Sequence, residues 1–166
     1  MTRFAIIFAV LLLTLFTVEL LEPVQRMVVQ PFTGLLADIS AALMMPFDGY
    51  VQSSGRIISH RETGFAVSIE AGCNGVEAAI VLIAAVLAYP APIAKKAIAI
   101  GIGFLAIQAL NILRIISLFY IGQWNLDLFT WTHLYLWPVL IMLDVLVVFL
   151  LYLRHLARQE VASSYA

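Results

Sequence analysis

The chain has 166 residues, of which 63% are hydrophobic and only 11% are charged, and its mean hydropathy is +1.03. Soluble domains are normally about 45–50% apolar and about 25% charged, so this composition excludes a soluble globular protein and indicates a membrane protein. The net charge of −1 and the scattered positions of the nine Lys and Arg residues exclude a basic surface for nucleic acid.

The first apolar run extends from Phe4 to about Leu21. Arg3 precedes it, and Glu19 and Glu22 mark its other end. Its length approaches the ~20 residues that a helix needs to cross a bilayer. A signal peptide is the alternative interpretation, but no small-residue cleavage site follows the run. We therefore predict a membrane anchor.

The second apolar stretch, from Val28 to Phe47, is interrupted by Pro31, Gly34 and Asp38. These interruptions favour an amphipathic segment on the membrane surface over a spanning helix. The chain then becomes polar from residue 48 to residue 70, where apolar and polar residues alternate as they do in strands. The alternation, with Gly64 in the turn, predicts a short β-hairpin.

Three further apolar runs follow, and together with the first run they predict four spanning helices. These runs are Val76 to Tyr89, Ala97 to Ile121, and roughly Leu136 to Leu153. The predicted fold class is an all-α integral membrane protein with about four transmembrane helices, a short external amphipathic segment and a β-hairpin. We predict a single membrane-embedded domain of residues 1–166.

The basic residues at the ends of the runs predict the orientation, because Lys and Arg accumulate on the cytoplasmic side of short loops. One assignment places all of them inside: Arg3, Lys95, Lys96, Arg154 and Arg158. Both termini are then cytoplasmic, and the hairpin lies outside. Four aromatic residues near the outer boundary support the same orientation, as rings that lie at headgroup level: Trp124, Trp131, Tyr135 and Trp137.

Three chemically distinctive residues fall on the outer side in this topology. Cys73 is the only cysteine, and it lies between Gly72 and Gly75 just before the second predicted span, where a helix N-terminus would stabilise a thiolate. Arg114 lies in the outer half of the third predicted span. His133 lies in the loop before the last predicted span.

A Cys and a His side by side are the pair that thiol hydrolases and acyl transferases use, and a fixed cation can stabilise a thiolate or an oxyanion. We therefore predict that Cys73, Arg114 and His133 are catalytic. A metal site is not expected, because one Cys and three His, of which His155 is on the cytoplasmic end, do not form a ligand set. We predict no cofactor.

Each of these residues also has a purely structural interpretation. Cys73 could be a packed small hydrophobe, and His133 could be an interfacial residue. Arg114 could form an ion pair with Asp144, which lies at a similar depth in the last span, because a charge inside a membrane helix needs a partner.

Two further polar residues are candidates for supporting roles. Asn111 lies one turn below Arg114 and could orient it, and Glu77 lies one turn after Cys73. Either residue could equally be a buried polar group that bonds to the backbone or to a neighbouring helix.

The stretches AGCNGVEAAIVLIAAVL and NILRIISLFYIGQ, followed by a His before a last apolar run, resemble the exosortase/archaeosortase family. The chain looks most like the small subtype called exosortase H, and the resemblance covers roughly Phe65 to Leu153. It implies a bacterial inner-membrane cysteine transpeptidase or protease whose catalytic residues fall on Cys73, Arg114 and His133.

The resemblance also implies the partners: protein substrates with a C-terminal sorting signal made of a short motif, a transmembrane helix and a basic cluster. The chain lacks the extra spans of larger exosortases, so the substrates and partners of those larger members do not transfer to it. The rival hypothesis is a small non-enzymatic membrane scaffold or transporter subunit, in which Arg114 pairs with Asp144 and Cys73 only packs.

Overall fold

The computed structural model describes the backbone of residues 2–164 and the side chains of residues 2–159. In this part of the chain the elements follow in the order α1 (Thr2–Glu19), α2 (Glu22–Val24), α3 (Gln30–Met44), β1 (Val51–Ser54), β2 (Ile57–His60), β3 (Ala66–Ser68), α4 (Val76–Ala88), α5 (Ile93–Trp124), α6 (Leu126–Trp131) and α7 (Trp137–Ser164). Two π-helical turns, Gln25–Val29 and Thr132–Leu136, join α2 to α3 and α6 to α7. The predicted class of a mostly helical membrane protein is confirmed.

Four of the described helices are long and apolar enough to cross a membrane: Thr2–Glu19, Glu22–Met44, Ile93–Trp124 and Leu126–Gln159. Three of them correspond to predicted spans. The number of candidate spans therefore agrees with the prediction, but their membership differs in two places, at Glu22–Met44 and at α4.

The helix Glu22–Met44 occupies the stretch for which an interrupted surface segment was predicted. Pro31 does not break it, because a π-helical turn ends just before α3 and the proline lies in the first turn of α3, where its missing N–H is tolerated. The helix is also apolar on both sides. Its inner side buries Leu36, Ala37, Ala41 and Met44, and its outer side exposes Leu35, Ile39 and Leu43. An exposed apolar stripe of this kind is stable next to lipid.

Helix α4 has nearly the extent of the predicted run Val76 to Tyr89, but it is too short to count among the candidate spans. It has 13 residues, which corresponds to about 20 Å, whereas the hydrocarbon core of a bilayer is about 30 Å thick. The neighbouring α5 has 32 residues and continues well beyond the start of α4. The loop that precedes α4, which contains Cys73, therefore packs beside Arg114, ten residues before the end of α5.

The basic ends of the helices lie together. The ring of Phe4 at the start of α1 is 6.5 Å from the ring of Tyr89, just after α4, and 6.4 Å from that of Phe149 in α7. Lys96 lies in the first turn of α5 at the same end, where its Nζ donates to the carbonyl of Leu87 at 2.7 Å. Arg114 follows Lys96 by 18 residues in one helix, or about 27 Å. This separation is close to the thickness of the hydrocarbon core.

The predicted β-hairpin corresponds to β2 and β3, which pair antiparallel with Gly64 at φ +72 in the turn. Strand β1 was not predicted, and it extends the hairpin to a three-stranded sheet of order β1-β2-β3. The sheet packs its buried face, which includes Val51 and Ile58, against α3 and the C-terminal part of α5. A second apolar core lies among α4, α5 and α7.

Gly103 in α5 allows this second core to close. A Cβ at position 103 would lie 2.3 Å from Cδ2 of Leu82 in α4 and 2.8 Å from Cγ1 of Val148 in α7. Gly101, two positions earlier in the same helix, has no atom of another element within 4 Å of its would-be Cβ. The close approach of the three helices thus depends on position 103.

We expect Gly103→Ala to lower the free energy of unfolding by about 1–3 kcal/mol, because it overpacks a filled core. Gly101→Ala is the matched control, and it should be neutral or stabilising by up to about 1 kcal/mol through helix propensity. Thermal unfolding of the purified protein in detergent measures both variants. Equal melting temperatures for the two variants would contradict this description of the core.

Candidate active site

The loop that carries Cys73 is bent by two glycines. Gly72 and Gly75 have φ values of +83 and +75, a region that residues with a Cβ rarely adopt. The Cys73 N–H donates to the carbonyl of Glu70 at 3.0 Å, which closes the turn. The two glycines that flank the cysteine in the sequence are therefore explained by the path of the backbone.

Gly75 also lies directly against α5. A Cβ at this position would lie 2.9 Å from Nε2 of Gln108 and 3.5 Å from Cγ of Asn111. Both side chains are buried, and their amide atoms have no hydrogen-bond partner among the described residues. Asn111 thus lies beneath the Cys73 loop and makes no hydrogen bond to Arg114, so the structure does not give it the orienting contact proposed from the sequence.

Asn74 fixes the loop to two helices and was missed in the sequence analysis. Its side chain is fully buried. The amide Nδ2 donates to Oγ1 of Thr33 in α3 at 3.1 Å, and Oδ1 accepts from the N–H of Val76 at the start of α4 at 3.0 Å. The N-cap of α4 is Gly75, so the bond from Val76 to Asn74 is an Asx-turn; an Asn followed by Gly is typical of such turns, and this pattern could have identified it.

Glu77 holds the loop from the first turn of α4. Its Oε1 accepts from the N–H of Gly72 at 2.5 Å. A carboxylate that reaches back to the backbone before its own helix resembles the second half of a capping box. Glu77 therefore positions the residue before Cys73 and makes no hydrogen bond to the thiol.

Arg114 is the cation next to the thiol. Its side chain is only 5% exposed, its Nη2 lies 3.4 Å from Sγ of Cys73, and its Nη1 donates to the carbonyl of Gly72 at 3.4 Å. Its Nε has no partner within the described part of the chain. A buried guanidinium with an unused donor beside a thiol can bind a developing negative charge.

The alternative ion pair between Arg114 and Asp144 is not formed in the described structure. No oxygen of Asp144 lies within salt-bridge distance of Arg114, and Oδ2 of Asp144 is buried without a hydrogen-bond partner there. Asp144 follows His133 by 11 residues along one continuous helix, which corresponds to about 16 Å. The structure therefore does not bring Asp144 to the thiol.

His133 is the second side chain that contacts the thiol. Its Nε2 lies 3.8 Å from Sγ of Cys73, and its ring stacks on Phe129 with centroids 5.6 Å apart and planes 12° apart. His133 was predicted to lie in a loop, but it lies in the π-helical turn Thr132–Leu136 of a continuous helix. Such turns are frequent at functional sites, and here the turn is at the residue that contacts the thiol.

A small cavity of about 50 Å³ opens between these side chains. Its walls come from the end of β3, the C-terminal part of α5, and the helix that carries His133. The lining residues are Val67, Ser68, Ile69, Cys73, Arg114, Ile115, Leu118, Phe129 and His133. The three residues predicted to be catalytic are thus brought together around one space.

The thiol is mostly neutral in this setting. Burial raises the pKa of Cys73, and the nearby Glu77 and Glu70 carboxylates raise it further, while the Arg114 guanidinium lowers it. The expected stabilisation of a thiolate by the helix N-terminus is outweighed, because desolvation of the charged form is the largest effect. A base is therefore needed to take the thiol proton.

A comparison with known families gives one match. The family model described as Transmembrane exosortase (Exosortase_EpsH) matches residues 2–151. The matched range is wider than the stretch that carried the resemblance in the sequence, and it includes Cys73, Arg114 and His133. No curated protein and no solved structure matches the chain.

The charges around Cys73 predict opposite effects of two substitutions. Arg114→Leu should move the inflection of the alkylation rate against pH to higher pH, because the thiolate is the reacting form and the cation that lowers its pKa is lost. Glu77→Gln should move it to lower pH, because a carboxylate that raises the pKa is lost. Alkylation of the purified protein by a small maleimide reports on Cys73 alone, since the chain has one cysteine.

Arg61→Leu is the control for this experiment. It removes an exposed cation that does not shift the pKa of Cys73, so its inflection should stay at the wild-type pH. An unchanged or lower inflection in Arg114→Leu would show that the guanidinium does not act on the thiol.

Proposed function

This chain belongs to the transmembrane exosortase family, and from that membership we propose that it is a membrane-embedded cysteine transpeptidase or protease. We propose that it cleaves proteins bearing a C-terminal sorting signal of motif, transmembrane helix and basic cluster. The observation that carries the proposal is the contact of Cys73 Sγ with both Arg114 and His133, at 3.4 and 3.8 Å, at the edge of one cavity.

In the first half of the reaction, His133 accepts the thiol proton of Cys73 and the thiolate attacks the scissile carbonyl carbon. Because burial raises the pKa of the partly buried thiol, this proton transfer accompanies the attack. The carbonyl oxygen becomes an oxyanion, and the Arg114 guanidinium donates to it. His133 then gives its proton to the leaving amine as the C–N bond breaks. The products are a thioester on Cys73 and the released tail.

In the second half, a nucleophile resolves the thioester. His133 takes a proton from water or from an acceptor amine, which attacks the thioester carbonyl, and the thiol of Cys73 leaves with that proton. Water gives hydrolysis, and an amine gives transfer of the substrate to an acceptor. The same three side chains serve both outcomes, so the access of the acceptor to the cavity decides between them.

The scaffold hypothesis has less support. It required Arg114 to be neutralised by Asp144, whereas the partners of Arg114 among the described residues are the Gly72 carbonyl and the Cys73 sulfur. A scaffold role gives no reason for a buried cation 3.4 Å from a thiol. The arrangement is the one that thiol catalysis needs.

The proposed location is the bacterial inner membrane, with both termini in the cytoplasm and the Cys73 cavity facing outside. The basic residues Arg3, Lys95 and Lys96 support it, because they lie at the end of the helices opposite the cavity and positive residues favour the cytoplasmic side. The family is described as transmembrane, which supports the location in a membrane.

The proposed function is tested by Cys73→Ser in cells that express a protein with such a tail. We expect cleavage to fall by at least roughly a thousandfold, because a serine with no stronger base is a poor replacement for the nucleophile. The amount of the variant in the membrane should equal that of the wild type, since only one atom changes. Cleavage retained by Cys73→Ser would remove Cys73 from the catalytic role.

The orientation is tested with reporters fused after Lys96 and after Gly55. We expect the first fusion to report the cytoplasm and the second to report the outside, because the two positions lie at opposite ends of the helices. Alkaline phosphatase and a fluorescent protein that matures only in the cytoplasm give opposite readouts for each position. The same compartment at both positions would contradict the proposed topology.

A further inference from the structure

Strand β3 is an edge strand that borders the Cys73 cavity. It pairs on one side with β2, and no described strand pairs with its other side. Residues Val67, Ser68 and Ile69, at its end, line the cavity together with Cys73. The open side of the sheet therefore leads directly to the thiol.

The hydrogen-bond pattern shows which backbone groups face the open side. The His60 N–H donates to the carbonyl of Phe65 at 2.8 Å, and the Ile69 N–H donates to that of Arg56 at 2.9 Å. Backbone groups alternate in direction along an antiparallel strand, so Phe65, Val67 and Ile69 face β2. The N–H and C=O groups of Ala66 and Ser68 must face the open side.

These outward groups are free for a partner. Ala66 and Ser68 are both exposed, and none of their backbone groups bonds to another described residue across the open side. An edge with unpaired backbone groups is a template for a further strand. On the far side of the cavity, Ile115, Leu118 and Phe129 form an apolar wall.

We propose that the recognition segment of the substrate binds as a fourth strand on the open edge of β3. Its backbone exchanges hydrogen bonds with Ala66 and Ser68, and every second side chain packs on the apolar wall. This addition brings the scissile carbonyl to Sγ of Cys73. The inference rests on the proposed function, and it adds the class of ligand: an extended peptide recognised by β-strand addition.

This mode of binding has a chemical consequence for specificity. Backbone hydrogen bonds give affinity that does not depend on side chains, whereas alternate side chains meet a pocket and are selected. The rival occupant of the same edge is a second copy of this chain. The neighbouring thiol, cation and imidazole favour the substrate, because only a peptide that is to be cleaved needs to lie beside them.

A pair of matched proline substitutions tests the edge. Ser68→Pro removes the N–H that faces the cavity side, and proline is tolerated at an edge where the N–H makes no ladder bond. Ser53→Pro is the control. The Arg61 N–H donates to the Tyr50 carbonyl at 3.0 Å, so by the same alternation Ser53 in β1 faces the opposite edge of the sheet.

We expect Ser68→Pro to cleave a tailed protein roughly tenfold more slowly or worse, since a backbone hydrogen bond and the register it sets are lost. Ser53→Pro should cleave at the wild-type rate. The melting temperature of both variants in detergent should stay close to that of the wild type, which separates a loss of docking from a loss of folding. Equal cleavage by the two proline variants would overturn the inference.

Photo-crosslinking gives a test that does not depend on a proline. A benzophenone amino acid in place of Ala66 should capture the substrate segment before its transmembrane helix, and the same probe in place of Ser54 should not. Capture of a second copy of this chain at position 66 would overturn the inference in favour of dimerisation.

A wild-type enzyme that fails to cleave the tailed protein would contradict the proposed function itself. Wild-type cleavage without capture at position 66 would contradict only the binding of the substrate at the β3 edge.

Discussion

The buried guanidinium of Arg114 is the constraint on which the arrangement of the site depends. A cation inside a membrane protein must be compensated, and among the described residues the acidic candidate in the membrane, Asp144, makes no contact with it. Its compensation comes from the Gly72 carbonyl and the Cys73 sulfur, both at 3.4 Å. These are weak partners for a full charge, and they leave the guanidinium ready to bind a stronger one. An oxyanion formed at Cys73 is such a partner.

The shape of the fold follows from placing the thiol beside that cation. Helix α4 is short. The loop before it therefore lies beside Arg114, ten residues before the end of α5, and not beside the end itself. Two glycines with positive φ, the Asn74 hydrogen bonds to two helices, and the Glu77 carboxylate hold the loop there. The sheet then closes the third side of the cavity. The thiol is thus held partly out of water, and this burial raises its pKa.

Much of the fold could be predicted from composition and periodicity. The membrane class, the long helices α1, α5 and α7, and the hairpin around Gly64 follow from local patterns that tertiary contacts do not override. The sequence also pointed to Cys73, Arg114 and His133 as neighbours, because charge distribution alone places their segments at one end of the helices.

Other features depend on long-range packing, and local patterns could not predict them. Pro31 suggested a break, but a π-helical turn accommodates it, and such turns have no clear sequence pattern. Strand β1 is short and polar, and it exists because α3 and β2 cover it. The polar residues Gln108 and Asn111 lie beneath Gly75, a contact between segments more than 30 residues apart. The pairing of Arg114 with Asp144 was plausible from the estimated depths of the two residues, but Arg114 lies at the level of His133, which Asp144 follows by 11 residues, or about 16 Å, along one helix.

The proposed thioester between Cys73 and the substrate can be detected by mass spectrometry of the Cys73 peptide after purified enzyme and tailed substrate are mixed and quenched in acid. If Cys73 is the nucleophile, it carries a transient adduct with the mass of the substrate fragment, which neutral hydroxylamine releases as a hydroxamate. Cleavage of the substrate with no adduct at any quench time, and no hydroxamate, would contradict the nucleophilic role of Cys73.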